Sequence, residues 1–114
     1  LKTATDLYCQ NPTQAESQYG QIENWDVSQV TSMYELFKDC PENPPIGTWD
    51  VSAVTDMYSM FLGASSFNQP IDTWDVSAVT NMGYMFLGAA AFDQDLSGLE
   101  IQKVNSMEDM LDGS

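Results

Sequence analysis

Four acids fall at one position of a repeated phrase: Asp26, Asp50 and Asp75, each within Trp-Asp-Val-Ser, and Glu100 in a degenerate fourth copy. A row of carboxylates is the arrangement in this sequence best suited to meet a ligand. Hard oxygen ligands of this kind suit Ca²⁺, and they also accept hydrogen bonds from basic or hydroxyl-rich partners. Calcium at Asp26, Asp50 and Asp75 is the one cofactor the residues bring into view. The competing reading is structural: each Asp turns onto backbone N–H groups at the start of a following helix, as an Asx-type turn beside the positive end of the helix dipole. Catalysis finds little support. The chain has no histidine, hence no Ser-His or Cys-His pair, no imidazole base and no ordinary zinc site. No glycine-rich phosphate loop is present. Paired carboxylates allow glycosidase-like chemistry by residue type alone, but short repeats imply no cleft, and the expectation is a protein that is not an enzyme.

Three further sets of residues bear on function. Cys9 and Cys40 form an even pair in a small acidic domain, which points to one disulfide and an oxidising compartment; Cys40 lies close to where a repeated Phe anchor is missing, beside the N-terminal segment that carries Cys9. Tyr34 and Tyr58 share a repeat position and Tyr84 falls one later, so they are candidate contact aromatics, with partial burial the alternative. The charge balance is three lysines and no arginine against seventeen acids, a net charge of −14. Phosphate binding depends on Lys and Arg, so nucleic acid is excluded as a partner and an anionic membrane surface repels the chain. No apolar run approaches the roughly 18 residues of a membrane span, so direct membrane insertion is not expected. A basic partner or a cation-rich setting suits the acidity. A chain that opens on Leu1 reads as a processed or excised piece.

The elements that must position these residues come from the repeat. Trp25-Asp-Val-Ser-Gln-Val-Thr-Ser-Met33, Trp49-Asp-Val-Ser-Ala-Val-Thr-Asp-Met57 and Trp74-Asp-Val-Ser-Ala-Val-Thr-Asn-Met82 are clean copies, and Leu99 to Met107 is a worn one; their starts are 24, 25 and 25 residues apart. A fixed period in this range signals a stacked repeat architecture. Within each copy the spacing Ile-x-x-Trp-x-Val (22/25/27, 46/49/51, 71/74/76) resembles a leucine-rich-repeat strand, with Leu96/Leu99/Ile101 in the fourth. The following apolar positions, Val79, Met82, Met85 and Phe86 and their equivalents, fall at i, i+3, i+6 and i+7, one stripe of a helix. Ser77 stands where an N-cap belongs and Gly88 where a left-handed C′ residue belongs. The methionines sit in this stripe, which assigns them to core packing.

The expected fold is therefore α/β: a leucine-rich-repeat-like, right-handed solenoid with short parallel strands on one side and short helices on the other. Residues 1–20 read as an α-helical N-terminal cap. Thr3 to Cys9 forms one helix, Asn11-Pro12 breaks it, and Thr13 with Glu16 opens a second through a capping box that ends at Tyr19-Gly20. Residues 21–114 are the repeats, starting near Ile22, Ile46, Ile71 and Leu96, and the whole is one domain. On the solvent side of the strands this fold places Asn24, Thr48 and Thr73 beside Asp26, Asp50, Asp75 and Glu100.

The run Trp-Asp-Val-Ser-x-Val-Thr-x-Met-x-x-Met-Phe followed by Phe-Asn-Gln-Pro-Ile-x-x-Trp resembles the BspA-like surface-protein repeat, over about residues 19–111. That repeat is abundant in mycoplasma lipoproteins and in surface proteins of other bacteria and single-celled eukaryotes, within the wider leucine-rich-repeat group. The resemblance implies an extracellular or cell-surface setting and a role in adhesion or recognition, with no catalytic residues to carry over. The functional expectation is a non-enzymatic extracellular module that binds a protein or surface glycan through a repeated face. The alternatives are a structural subunit that self-associates into a filament or sheath by end-to-end or lateral stacking, and a calcium-dependent matrix protein.

Overall fold

The computed structural model describes residues 1–99. Helix α1 spans Lys2–Gln10 and helix α2 spans Pro12–Tyr19. They part at Asn11, whose extended backbone (φ −156°) is what a residue before proline prefers. Pro12 then sits at the first helical position, where its missing N–H is not needed. The N-cap differs from the expected capping box. Asn11, not Thr13, accepts the Gln14 N–H at 3.1 Å, and Glu16 instead accepts the Ile22 N–H at 3.0 Å, tying α2 to the first repeat. Gly20, at φ +83°, closes α2.

Beyond a single 3₁₀ turn at Ile22–Asn24, the expected architecture is not formed. Among the described residues there is no β-strand, no sheet and no repeat helix, so the chain is not an α/β, leucine-rich-repeat-like solenoid. Two isolated parallel bridges, Ser32 to Asp56 and Asp56 to Asn81, are the only β pairing among the described residues, and they fall in the segments expected to be helical, not in the expected strands. The expected fourth-repeat positions Ile101, Val104, Met107, Met110 and Leu111 lie outside the described residues.

The backbone hydrogen bonds explain the departure. Every buried N–H needs a partner, and in a helix each would reach four residues back. Here they alternate between two destinations. Met57, Ser59, Phe61 and Gly63 donate outward to Asn81, Gly83, Met85 and Leu87 of the next repeat at 2.8–2.9 Å. Between them, Met60, Leu62 and Ala64 donate three residues back to Met57, Ser59 and Phe61, closing tight turns. Met33 to Cys40 repeats the pattern one tier earlier, onto Asp56, Tyr58, Met60 and Leu62. The repeats thus lie upon one another as tiers of consecutive turns. A three-residue turn step places apolar residues at i, i+3 and i+6, as one face of a helix does, and so the stripe is buried without any helix: Val54, Met57, Met60 and Phe61 are each 0% exposed.

Such a turn run requires left-handed residues at intervals. Glu35, Ser59 and Tyr84 have φ of 54–55°, and four residues later Asp39 (59°), Gly63 (69°) and Gly88 (72°) repeat it. At Gly63 the preceding tier adds a second constraint, because a Cβ there would fall on the Asp39 carboxylate, which would have to turn aside.

The core is a set of side-chain columns running through the tiers. Phe37, Phe61 and Phe86 stack at 5.7 and 5.4 Å with rings within 7° of parallel. Phe67 and Phe92 form a second column against it, at 4.0 Å from Phe61 and 4.1 Å from Phe86 respectively. Tryptophans pin each tier to the one before: the Trp49 indole donates to Ile22 O at 2.8 Å and that of Trp74 to Ile46 O at 3.2 Å, both buried. Asn43 Oδ1 accepts the Asn68 N–H, and Asn68 Oδ1 accepts the Asp93 N–H, at 2.8 and 3.0 Å. No buried side-chain nitrogen or oxygen among the described residues lacks a partner.

At the N-terminal end the first tier offers a carbonyl, Leu36 O, with no tier beneath it. Helix α1 covers it: Thr5 Oγ1 donates to Leu36 O at 3.3 Å, and Lys2 Nζ donates to Glu35 O at 2.6 Å. Cys9 of α1 and Cys40 of the first tier are joined in a disulfide. Cys40 does not replace the missing Phe anchor. It occupies the repeat position of Ala64 and Ala89, both fully buried, so the bridge leaves from a site where the tiers leave room for only a small side chain.

Candidate functional site

The repeated Asp sits on an exposed corner directly after the repeat Trp, which is buried at Trp49 and Trp74 and partly buried at Trp25. In each clean copy its Oδ1 accepts two hydrogen bonds from the Ser two residues on. For Asp26 these come from Ser28 N–H at 3.0 Å and Ser28 Oγ at 2.6 Å; Asp50 with Ser52 and Asp75 with Ser77 each repeat this at 3.1 and 2.6 Å. The Asx turn is thus present, but no helix follows it, and Ser77 is the Asp's donor rather than an N-cap. Asp95 forms a similar turn with Ser97 N–H at 2.9 Å, at a different place in the repeat.

These bonds hold the carboxyls of Asp26, Asp50 and Asp75 below their ordinary value, the Ser hydroxyl contributing most and the Ser N–H next. Asp50 feels Asp26 and Asp75 on either side, which push its carboxyl up, but the hydrogen bonds outweigh them. All three remain ionised and in a row at neutral pH. Hydrogen bonds to the charged form offset the repulsion that like charges on adjacent chains otherwise cause.

Beside this row run Asn24, Thr48 and Thr73, all exposed. One position earlier stand Glu23, Gly47 and Asp72. Neither Thr48 nor Thr73 makes a side-chain hydrogen bond among the described residues, and Asp72 has no ion-pair partner there. Two adjoining depressions open on this face. One, of about 470 Å³, is lined by Glu23, Pro45, Gly47, Thr48, Gln69, Pro70, Asp72 and Thr73, with largely apolar walls. The other, of about 610 Å³, is lined by Asp72, Thr73, Trp74, Asp75, Val76, Ser77 and Gly98. Glycines permit the close approach of tiers beneath them: a Cβ on Gly47 would come within 2.5 Å of Pro70 O, and one on Gly98 within 3.0 Å of Asp72 O.

The sequence singled out the Asp and Thr positions on this face but passed over Glu23, Pro45, Pro70 and Asp72. The signal was present, since Pro45 and Pro70 share one repeat position and Glu23 and Asp72 another. Glu100 lies outside the described residues.

As for calcium, no group of three or more Asp, Glu, His or Cys side chains that could hold a metal ion is found among the described residues. One oxygen of each repeated Asp is already committed to its Ser. The tyrosines stand away from these depressions, on the turn run that carries the cross-tier bonds. Tyr34 and Tyr58 stack at 5.6 Å and Tyr58 meets Tyr84 edge-on at 5.5 Å. Tyr34 is half exposed, whereas Tyr58 and Tyr84 are half-buried. No helix among the described residues is long and apolar enough to cross a membrane.

A family model described as "Mycoplasma protein of unknown function, DUF285" matches residues 7–114. No curated protein and no solved structure matches the chain.

Proposed function

The chain belongs to DUF285, a family of Mycoplasma proteins of unknown function, and on that premise we propose that it is a non-enzymatic binding module that recognises a protein or glycan through its repeated Asp–Thr face. Within the family we place its repeats with the BspA-like surface-protein kind, on the strength of the Trp-Asp-Val-Ser phrase. The observation that carries the reading is the division of labour among side chains. The core columns, the indole bonds and the cross-tier ladder are satisfied from within. The free carboxylate oxygens of Asp26, Asp50 and Asp75 and the hydroxyls of Thr48 and Thr73 face solvent in register, unused by the fold. Periodic polar groups on a scaffold fit a partner that is itself extended.

An extracellular or cell-surface setting accords with the Cys9–Cys40 disulfide, since such bonds persist in oxidising compartments. End-to-end polymerisation is the weaker reading, because α1, α2 and the disulfide cover the N-terminal end of the tiers. The test is a binding screen of the purified, oxidised chain against arrays of glycans and of extracellular proteins, repeated with Thr48→Ala/Thr73→Ala. Capture that the double substitution weakens supports the proposal. Capture that is indifferent to it moves the site elsewhere, and no capture on either array refutes the reading.

A further inference from the structure

We infer that the depression between Pro45 and Pro70 is a docking groove for an extended, basic polypeptide segment of a partner protein; this rests on the binding reading above and names its partner class. The groove has apolar walls, Pro45 and Pro70, which share a repeat position on neighbouring tiers. Its rims are acidic at both ends and open between. Glu23, Gly47 and Asp72 occupy one repeat column, so the glycine leaves a gap flanked by two carboxylates. With backbones packed at the spacing of hydrogen-bonded chains, the acids stand about 10 Å apart across two tiers. An extended peptide advances about 3.3 Å per residue, so cationic residues three apart match that span.

Charge complementarity selects the partner. The chain carries a net charge of −14. Both lysines among the described residues are engaged elsewhere: Lys2 pairs with Asp6 at 3.1 Å and Lys38 with Glu35 at 3.3 Å. No cation of the described residues neutralises Asp72 or Glu23, and Asp75 adds a third carboxylate in the adjoining depression. The hydroxyls of Thr48 and Thr73 lie in the same groove, placed to bond a peptide backbone. A neutral glycan would meet the hydroxyls but leave the acids without a counter-ion.

The test titrates the oxidised full chain with the capped peptide Ser-Lys-Val-Pro-Lys-Ser at low salt, observing backbone amides by NMR. The shifts expected are at Thr48, Asp72 and Thr73, and binding weakens as salt is raised. Glu23→Gln and Asp72→Asn each weaken binding by up to about fivefold, the worth of an exposed ion pair. Asp93→Asn, which removes the same charge outside the groove, leaves binding unchanged. The inference is overturned if that control weakens binding equally, if a peptide with Gln for both Lys binds as well, or if the shifts cluster at Tyr34 and Tyr58. If the basic peptide fails while an array partner is still captured, the groove assignment falls and the binding reading stands. If neither binds, both fall.

Discussion

Replacing Cys9 and Cys40 together by alanine isolates what the bridge does for the fold. Cys40 stands in the column of Ala64 and Ala89, so alanine there fits the tier packing and leaves no cavity to confound the result. The effect of the double substitution is then the loss of the cross-link itself. The bonded residues are 31 apart in sequence, and closing a loop of that length is worth about 3.7 kcal/mol at 25 °C in the chain-entropy account. Unfolding entropy scales with length, to about 0.24 kcal/mol per kelvin for a chain of this size, so the melting midpoint falls by about 15 °C. The assay is thermal and urea unfolding of oxidised wild type and the double variant, with hydrogen exchange across residues 2–19. Exchange rises most in α1, because Thr5 and Lys2 then hold the first-tier carbonyls without a covalent tie. A fall of under about 4 °C, or exchange in α1 unchanged, refutes the reasoning and shows that α1 is held by packing alone. A much larger loss shows that Cys40 contributes to the core in a way the alanine column does not replace.

Three further sets of substitutions probe the tiers. Gly88→Ala costs only the left-handed backbone term, roughly 1–2 kcal/mol, since the nearest atoms to a Cβ there are 3.7 Å away; Gly63→Ala costs more in urea melts, and Asp39→Gly recovers most of the excess in a double-mutant cycle. Equal costs at the two glycines would contradict the Asp39 contact. Trp74→Phe removes one of the two hydrogen bonds that the buried Ile46 carbonyl accepts, the other coming from the Trp49 N–H, and lowers stability by about 0.5–1.5 kcal/mol, whereas Trp25→Phe, whose indole donates to the exposed Gly20 O, costs less in the same melts. Asp50→Asn tests the carboxylate turns by pH: the folded carboxyl lies below its ordinary 3.8, so its contribution is present above that value and lost as pH falls through the folded pKa. The variant keeps an acceptor but cannot titrate, and its stability therefore declines less between about pH 5 and pH 2; an acid slope identical to wild type would show that the Ser52 bonds do not favour the ionised form.

The sequence revealed burial far better than it revealed backbone path. Met57, Met60 and Phe61, Ile71 and Trp74 are core residues as their spacing implies, and Cys9 does join Cys40. The element types were not legible because side-chain spacing does not record where N–H groups go. Val54, Met57 and Met60 recur every three residues, which a helical face and a run of tight turns share. Trp49 and Val51 alternate as in a strand, yet the Trp49 N–H closes a turn on Ile46 O at 3.0 Å. The distinguishing signal was the small or turn-prone residue at Asp39, Gly63 and Gly88; Gly88 reads as a helix end, whereas the three mark one of two left-handed positions in every tier. The Asp row was legible as a row and its Asx turn as a turn; the groove beside it was not, because Pro45 and Pro70 become walls only when the tiers are stacked.

The Asp–Thr face and its groove exist only if the tiers are built from turns. Backbone chemical shifts and three-bond HN–Hα couplings across residues 51–64 measure this most directly. The expected result is left-handed φ at both Ser59 and Gly63, with no run of helical shifts between them. Continuous helical shifts from Ser52 to Leu62 would contradict it.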